Sequence, residues 1–479
     1  MTAYQSLALT APELILSLGA LALLMVAAFA GDRATRLVTW LAVALFGVAA
    51  LSLLGVAGTG GDAFDGLYRA DAFGRFAKIL IYAAAAVSLM IAPRFFEHED
   101  KLRAEYPVLI LLSAAGMGMM VSATDFLTLY VGLELQSLAA YVLASFMRKD
   151  LRSAEAGLKY FVLGALASGI LLYGISLLYG FSGTTSFAGV AAVMRGDMSI
   201  GLTFGLVFVI SGLAFKIAAV PFHMWTPDVY EGAPTPVTIF FASAPKVAAM
   251  AMLVRVAVSA MGPSTEAWQQ IVIFTSLASI LLGAFGAIGQ SNIKRLLAYS
   301  SINNVGFALV GLAAGTEAGV ASVMSYMAIY IVMTLGSFIC VLQMRDLNGN
   351  QIEAISSLSG LSQSRKGLAA ALAIFMFSLA GIPPLFGFWG KFLVFDAAVA
   401  AGFLPLAAIG IASSVIGAYY YLKIIKTMYF DEPAPVNFAP AASRIESGLI
   451  AVAAAILLVG YLAIPILSST ANAAAKALF

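Results

Sequence analysis

Charge is scarce in this chain. Only 10% of its 479 residues are Asp, Glu, Lys or Arg, against about 25% in an ordinary soluble domain. With 62% hydrophobic residues, the composition excludes a water-soluble globule and indicates a membrane protein. The net charge of +2 supplies no electrostatic footprint for nucleic acid. Cysteine is nearly absent: Cys340 is the single one. It stands in an apolar run, cannot close a disulfide within the chain, and reads as a small buried hydrophobe. The sequence has no histidine cluster and no CxxC, and neither GxGxxG nor a Walker-type glycine-lysine motif occurs in a usable context. No redox cofactor, nucleotide or metal is therefore expected on the chain itself. The first apolar run also lacks a basic n-region, since no Lys or Arg precedes Arg33. Ala28-Phe29-Ala30 has the shape of a signal-peptidase site, yet the run reads as a retained first span.

Long apolar runs take the place of these features. A bilayer core requires about 20 mostly apolar residues per helix, and on that rule fourteen spans are expected: 12–30, 37–57, 71–92, 107–123, 125–146, 155–180, 201–225, 236–261, 268–290, 295–314, 319–344, 367–396, 403–429 and 446–468. The fourth and fifth are separated only by Thr124 and Asp125. The fold class is an all-α polytopic membrane protein with about 14 transmembrane helices. It is a single integral membrane domain over 1–479, with three N-terminal helices in 1–106 and a C-terminal helix in 446–468. Loops after odd-numbered spans hold most of the Lys and Arg: Arg33 and Arg36; Arg94, Lys101 and Arg103; Arg148, Lys149 and Arg152; Lys294 and Arg295; Arg345, Arg365 and Lys366; and Arg444. Loops after even-numbered spans hold only Arg69 and Arg195. This bias puts the odd loops in the cytoplasm, and with fourteen spans both termini then lie on the outer side.

Two spans are interrupted. The seventh reads Ser211-Gly-Leu-Ala-Phe-Lys216-Ile-Ala-Ala-Val-Pro221-Phe-His223-Met-Trp225, and the twelfth reads Ser378-Leu-Ala-Gly-Ile-Pro383-Pro384-Leu-Phe-Gly-Phe-Trp-Gly-Lys391. Proline removes a backbone donor and frees the carbonyl four residues earlier, which at membrane depth is tolerated where protein or water satisfies it. The spacing of the two breaks, five spans apart, suggests two inverted five-helix repeats, spans 4–8 (107–261) and 9–13 (268–429), with discontinuous seventh and twelfth helices.

Four charges stand out inside these spans: Glu134, Lys216, Lys246 and Lys391. A charge at bilayer depth costs about 3 kcal/mol on insertion scales. Glu134 lies about nine residues into its span, roughly 14 Å deep at 1.5 Å per residue, and Lys216 and Lys246 share that depth. Lys391 lies past its proline pair, farther from the middle. A fixed Glu134–Lys216 ion pair that only locks two helices is one reading. Hydrophobic residues would serve that purpose at lower cost, and no Asp or Glu stands within a helical turn of Lys246 or Lys391. An ammonium group in such surroundings exchanges its proton readily, so a proton relay is the other reading. Pro221 frees the Ile217 carbonyl and Pro245 the Phe241 carbonyl, and either carbonyl can hold a water beside an ammonium group. Tyr299, Tyr326, Tyr330 and Tyr419-Tyr420-Tyr421 can line a hydrated path in the second half or simply pack. Lys159 opens the sixth span, where snorkelling to the surface competes with a relay role. His223 sits beside the seventh-span break, where a local hydrogen bond competes with proton transfer. Asp228 and Glu231 either guide protons or cap the eighth helix. Asp125, Arg255 and Lys423 stand near span ends and read as interfacial anchors.

These segments match a family pattern. Gly132-Leu-Glu-Leu-Gln-Ser-Leu, Phe215-Lys-Ile-Ala-Ala-Val-Pro-Phe-His-Met-Trp-Thr-Pro-Asp-Val-Tyr-Glu-Gly-Ala-Pro-Thr-Pro, Ser243-Ala-Pro-Lys246, Lys294-Arg-Leu-Leu-Ala-Tyr-Ser-Ser and Ala380-Gly-Ile-Pro-Pro-Leu-Phe-Gly-Phe-Trp-Gly-Lys391 resemble the antiporter-like membrane subunits of bacterial respiratory complex I, the proton-translocating NADH:quinone oxidoreductase. The resemblance covers essentially the whole length. It implies that Glu134 and Lys216 form an ion pair, that Lys246 is the central relay and that Lys391 is the outlet. A Glu in place of Lys391, as in the sister subunit M, or a long C-terminal extension, as in sister L, is missing here. Tyr326 and Tyr330 stand where some relatives have histidine in the eleventh span. The resemblance further implies a subunit of a respiratory enzyme in the bacterial inner membrane. FMN, iron–sulfur clusters and quinone would be carried by partner subunits, and other complex I membrane subunits, small helical ones and M above all, would be neighbours, together with membrane lipid. A subunit of a sodium/proton antiporter complex and a purely structural assembly subunit are the alternatives.

Overall fold

The computed structural model describes residues 3–58, 60–98, 101–196, 198–436, 438–440 and 443–479. They are overwhelmingly helical; a short hairpin, Gly61–Ala63 paired with Tyr68–Ala70, supplies the strands. Twelve helical stretches among the described residues are long and apolar enough to cross a bilayer.

Side-chain caps fix several helix starts where the sequence suggests them. Asp125 caps the helix Phe126–Ala144, its carboxylate accepting from the Leu127 and Thr128 amides, and the extended Ala123 ends the preceding helix Glu105–Ser122. The narrow Thr124-Asp125 gap is therefore a true joint. Asp150, Asn292, Thr316 and Ser443 cap later helices in the same way. The stretch Ala11–Ser52 contains two of the expected spans, the helices Ala11–Ala30 and Thr35–Ser52, jointed at Gly31 with φ 63°.

The interruptions are sharper than expected. The helix Ile200–Ile217 stops at Ile217 rather than near 225, and Ala218 takes a left-handed conformation with φ 62°. The expected twelfth span is two fifteen-residue helices, Lys366–Ala380 and Phe386–Ala400, parted at Gly381 with φ 81°. Each is about 22 Å long at 1.5 Å per residue, short of a hydrocarbon core of about 30 Å. A third break falls in the expected eighth span, at Ser243, between Thr235–Ala242 and Ala244–Arg255. Pro245 there occupies the first helical turn, which tolerates proline, so the proline alone does not announce the break.

The chain forms two compact units, Met1–Ile217 with Ser243–Ile271 and Thr470–Phe479, and Ala218–Ala242 with Val272–Ser469. In the first, the Ala244–Arg255 helix is the axis. It packs against Ala72–His98, Glu105–Ser122 and Ile200–Ile217, and every residue on it except Pro245 is buried. The helices Glu105–Ser122 and Phe126–Ala144 cross so closely that a Cβ on Gly132 would come 2.8 Å from the Met119 Cβ and 2.9 Å from the Gly116 carbonyl oxygen. In the second unit the central helix is Ile293–Ala313, buried almost throughout and packed against Glu317–Leu342, Phe386–Ala400 and Leu404–Phe430.

Candidate functional site

In the first unit, the end of the Ile200–Ile217 helix collects two ammonium groups. Lys216 is its penultimate residue, and its Nζ donates to Ser137 Oγ at 2.7 Å. Ser137 lies one turn after Glu134 on the same helix face, and its hydroxyl donates in turn to the Leu133 carbonyl at 2.6 Å. The Glu134 carboxylate is half-buried, and its Oε1 has no hydrogen-bond partner. The Lys216 ammonium group also lies 5.7 Å from the centre of the Tyr141 ring. Ser137 therefore holds the lysine directly; the serine was not singled out from the sequence, although it stands in the Gly132–Leu138 motif.

Lys246 comes to the same helix end. It is 2% exposed, and its Nζ donates to the Ile217 carbonyl at 2.8 Å. This is the carbonyl that Pro221 leaves without an amide partner, so the ammonium group itself takes the place expected for a water. The Phe241 carbonyl, freed by Pro245, accepts instead from the Tyr230 hydroxyl at 3.3 Å.

The second unit repeats the arrangement. Lys391 is 7% exposed and donates to the Ala380 carbonyl at 3.0 Å and to Ser414 Oγ at 2.9 Å. Ala380 ends the Lys366–Ala380 helix and stands four residues before Pro384, as Ile217 stands four before Pro221. In both units an ammonium group sits on the carbonyl that a proline has freed, at the negative end of a helix macrodipole. By its contacts the counterpart of Lys391 is thus Lys246, not Lys216. Gly381 is required here: besides its positive φ, a Cβ would lie 2.8 Å from Lys391 Cδ.

A polar spine runs along the Ile293–Ala313 helix of the same unit. Tyr330 donates to Ser301 Oγ at 2.8 Å, Tyr326 donates to Asn304 Oδ1 at 2.7 Å, and Ser300 and Tyr421 share a hydrogen bond at 2.5 Å. One turn past Asn304, the Phe307 ring lies 4.6 Å from Lys391 Nζ, and a Cβ on Gly390 would touch Tyr326 at 3.2 Å. Of the expected tyrosines, Tyr326, Tyr330 and Tyr421 join this spine, Tyr420 is buried with no partner for its hydroxyl, and Tyr419 is exposed. Ser300, Ser301 and Asn304 were not anticipated; their i, i+1, i+4 spacing on one helix was the available signal.

Other residues take different places from those expected. Lys159 pairs with Glu155 across one turn at 2.7 Å, with both side chains exposed. His223 lies half-buried in the turn after the seventh-span break, and its Nδ1 has no hydrogen-bond partner. Asp228 and Glu231 clamp Arg295 at 2.6 and 3.0 Å. Lys294 is buried, donating to the Ala233 carbonyl at 2.7 Å and lying 3.3 Å from Glu353. Arg255 is no interfacial anchor: it is 1% exposed and grips Asp71 with two hydrogen bonds of 2.9 and 2.8 Å. Asp125 is likewise buried at its helix cap. Lys423 is exposed, as an anchor requires. Among the described residues no three His, Cys, Asp or Glu side chains stand together as metal ligands.

A family model described as NADH:quinone oxidoreductase/Mrp antiporter, TM matches residues 123–417. The chain is 71% identical over the whole of both chains to NADH-quinone oxidoreductase subunit N of Rhizorhabdus wittichii. It is 53% identical to NADH-quinone oxidoreductase subunit N 1 of Rhizobium meliloti, covering 100% of this chain and 99% of the relative. Among solved structures, a chain of respiratory complex I from Thermus thermophilus matches with TM-score 0.83 and 30% identity, over 96% of this chain and 99% of that one. A chain of the Mrp complex from Dietzia matches with TM-score 0.84 and 23% identity, over 100% and 98%, a likeness of fold alone.

Proposed function

The chain belongs to the NADH:quinone oxidoreductase/Mrp antiporter membrane family, and from that premise we propose that it is the N-type antiporter-like subunit of a bacterial complex I, carrying protons from the cytoplasm to the outer side of the inner membrane. The relay residues are Glu134, Lys216, Lys246 and Lys391, taken in that order. Lys159 and His223 hold secondary places: the exposed Glu155 pair of Lys159 favours snorkelling, whereas the unpartnered Nδ1 of His223 leaves it able to exchange a proton. The redox chemistry, with FMN, iron–sulfur clusters and quinone, belongs to partner subunits. M and the small helical subunits are the neighbours, both termini face outward, and spans 4–8 and 9–13 of the fourteen form two inverted five-helix repeats.

The observation that carries this reading is the twice-used geometry of a buried lysine on a proline-freed carbonyl, Lys246 on Ile217 and Lys391 on Ala380. A carbonyl stabilises the ammonium form without neutralising it, so each lysine is held by a hydrogen bond worth about 1.5–3 kcal/mol and stays able to give up its proton. Lys216 differs in having Glu134 nearby. When Glu134 is ionised the ammonium form of Lys216 is favoured; when Glu134 is neutralised or drawn away, Lys216 releases its proton toward Lys246. Moving one charge against about 180 mV costs roughly 4 kcal/mol at 2.3 kcal/mol per 100 mV. That equals about a thousandfold change in proton affinity, within reach of making and breaking a buried carboxylate–ammonium interaction.

The Mrp-type likeness of fold keeps sodium/proton exchange as the second reading. Deletion of this chain separates the two. The complex I reading expects loss of NADH-driven, quinone-dependent proton translocation in membrane vesicles, with the vesicles' sodium/proton exchange unchanged. Intact NADH-driven translocation with lost sodium/proton exchange overturns it.

A further inference from the structure

The first unit holds a second set of buried charges that the relay does not use. Lys78, the seventh residue of the helix Ala72–His98, places its Nζ 2.6 Å from Oε1 of Glu13, with side chains 1% and 8% exposed. Glu13 is the third residue of Ala11–Ala30. The Tyr68 hydroxyl stands between them, accepting from Lys78 at 2.5 Å and donating to Glu13 Oε2 at 2.9 Å. Next to this triad lies the Arg255–Asp71 pair, with Arg255 Nε also donating to the Val121 carbonyl at 2.8 Å. Two further buried hydroxyls have no hydrogen-bond partner. One is Tyr82, a turn after Lys78 on the same helix face. The other is Ser122, whose Oγ and Asp71 Oδ1 lie 2.9 and 3.3 Å from the position of a Cβ on Gly74.

The two pairs differ in kind. Arginine keeps its proton, so Arg255–Asp71 is a latch. Glu13, Lys78 and Tyr68 can each give or take a proton, and the hydroxyl between carboxylate and ammonium is the connection a proton transfer needs. An ionised carboxylate beside an ammonium group sums to zero charge, so the triad has no standing attraction for a metal cation. The ligand that fits is a proton.

Topology places the cluster on one side of the membrane. On the orientation set by the loop charges, the starts of Ala11–Ala30 and Ala72–His98 and the ends of Glu105–Ser122 and Ala244–Arg255 all face outward. Glu13, Lys78, Ser122 and Arg255 stand at those four ends. Lys246 precedes Arg255 by nine residues on one helix, about 14 Å along its axis.

We propose that Glu13, Lys78 and Tyr68 form an outward-side proton site of the first unit, between Lys246 and the outer aqueous phase. In the transfer, the Lys78 ammonium gives a proton to the Tyr68 oxygen as Tyr68 passes its own to Glu13, leaving a neutral amine and a neutral acid. The amine is then recharged from the Lys246 side, and the acid releases its proton outward. This rests on the proton-translocating reading above.

The test is made in the assembled complex in proteoliposomes, with protons pumped per NADH and the uncoupled NADH:quinone rate both measured. The double variant Glu13→Gln with Lys78→Met removes both charges and leaves no orphan. Its pumping is expected to fall to the level of a Lys246→Met control, with electron transfer retained. Tyr68→Phe, which keeps the ring and removes only the hydroxyl, is expected to lower pumping as well. Full pumping in the double variant, or its failure to assemble, overturns the outward site and assigns the triad a structural role. Full pumping in Lys246→Met instead overturns the relay on which the site depends.

Discussion

A lysine in an apolar run cannot be concealed in a sequence, and Lys216, Lys246 and Lys391 were legible for that reason. Their partners were not. Ser137 becomes a partner only when helices distant in sequence converge; the Ile217 carbonyl was read as freed, but as holding a water, and the Ala380 carbonyl is reached by Lys391 folding back across the break. Because a neutral hydroxyl holds Lys216, Ser137→Ala should remove about 2 kcal/mol of positioning while leaving the helix intact. The expected result is lowered proton pumping per NADH in a complex that assembles normally; unchanged pumping would remove the serine from the relay. Arg255 was misread for the opposite reason. It stands near a span end, where surface anchoring is the ordinary explanation, yet the fold buries it against Asp71, and buries Lys78 against Glu13 at other helix starts, which drew no notice in the sequence. Arg255→Met, which leaves Asp71 buried without its cation, should destabilise the protein by about 3–5 kcal/mol. Adding Asp71→Asn should recover most of that loss. Thermal unfolding in detergent checks both, and a mild effect of the single substitution would refute the latch.

At the scale of the element, proline was the readable signal and its consequences were only partly readable. The sequence located the breaks in the seventh and twelfth spans, but the helix ends earlier than expected, at Ile217, because Ala218 adopts a left-handed conformation. The break before Lys246 escaped notice because Pro245 falls in a first helical turn, where proline is at home. If a freed carbonyl is what holds each lysine, returning an amide donor should weaken the hold. Pro384→Ala restores an N–H able to bond the Ala380 carbonyl and so competes with Lys391. Pumping should fall with electron transfer retained, and a variant that pumps normally would show that the carbonyl is not the anchor. The polar spine of Ser300, Ser301 and Asn304 was present in the sequence as a spacing on one face, but it gains meaning only from the tyrosine hydroxyls of two other helices.

For the whole molecule, composition and run length carried the fold class, and loop charge supplies an orientation that we propose. The compact units are divisions by packing, with boundaries at two of the breaks, Ile217 and Ser243; the expected repeats are divisions by symmetry, which a sequence displays only as the recurrence of proline, aromatics and lysine. Orientation is open to a direct check, helped by the complete burial of the only native cysteine, Cys340. Leu67→Cys on the exposed hairpin should react with a membrane-impermeant maleimide from the outer side, and Asn348→Cys in the Arg345–Lys366 connection only from the cytoplasmic side. The reverse pattern would invert the direction of the relay. The proposed passage of a proton through Lys246 is read in the number of protons translocated per NADH by the assembled complex carrying Lys246→Met. That ratio should fall while NADH:quinone electron transfer persists under uncoupled conditions; a ratio equal to that of the unaltered complex would remove Lys246 from the proton path.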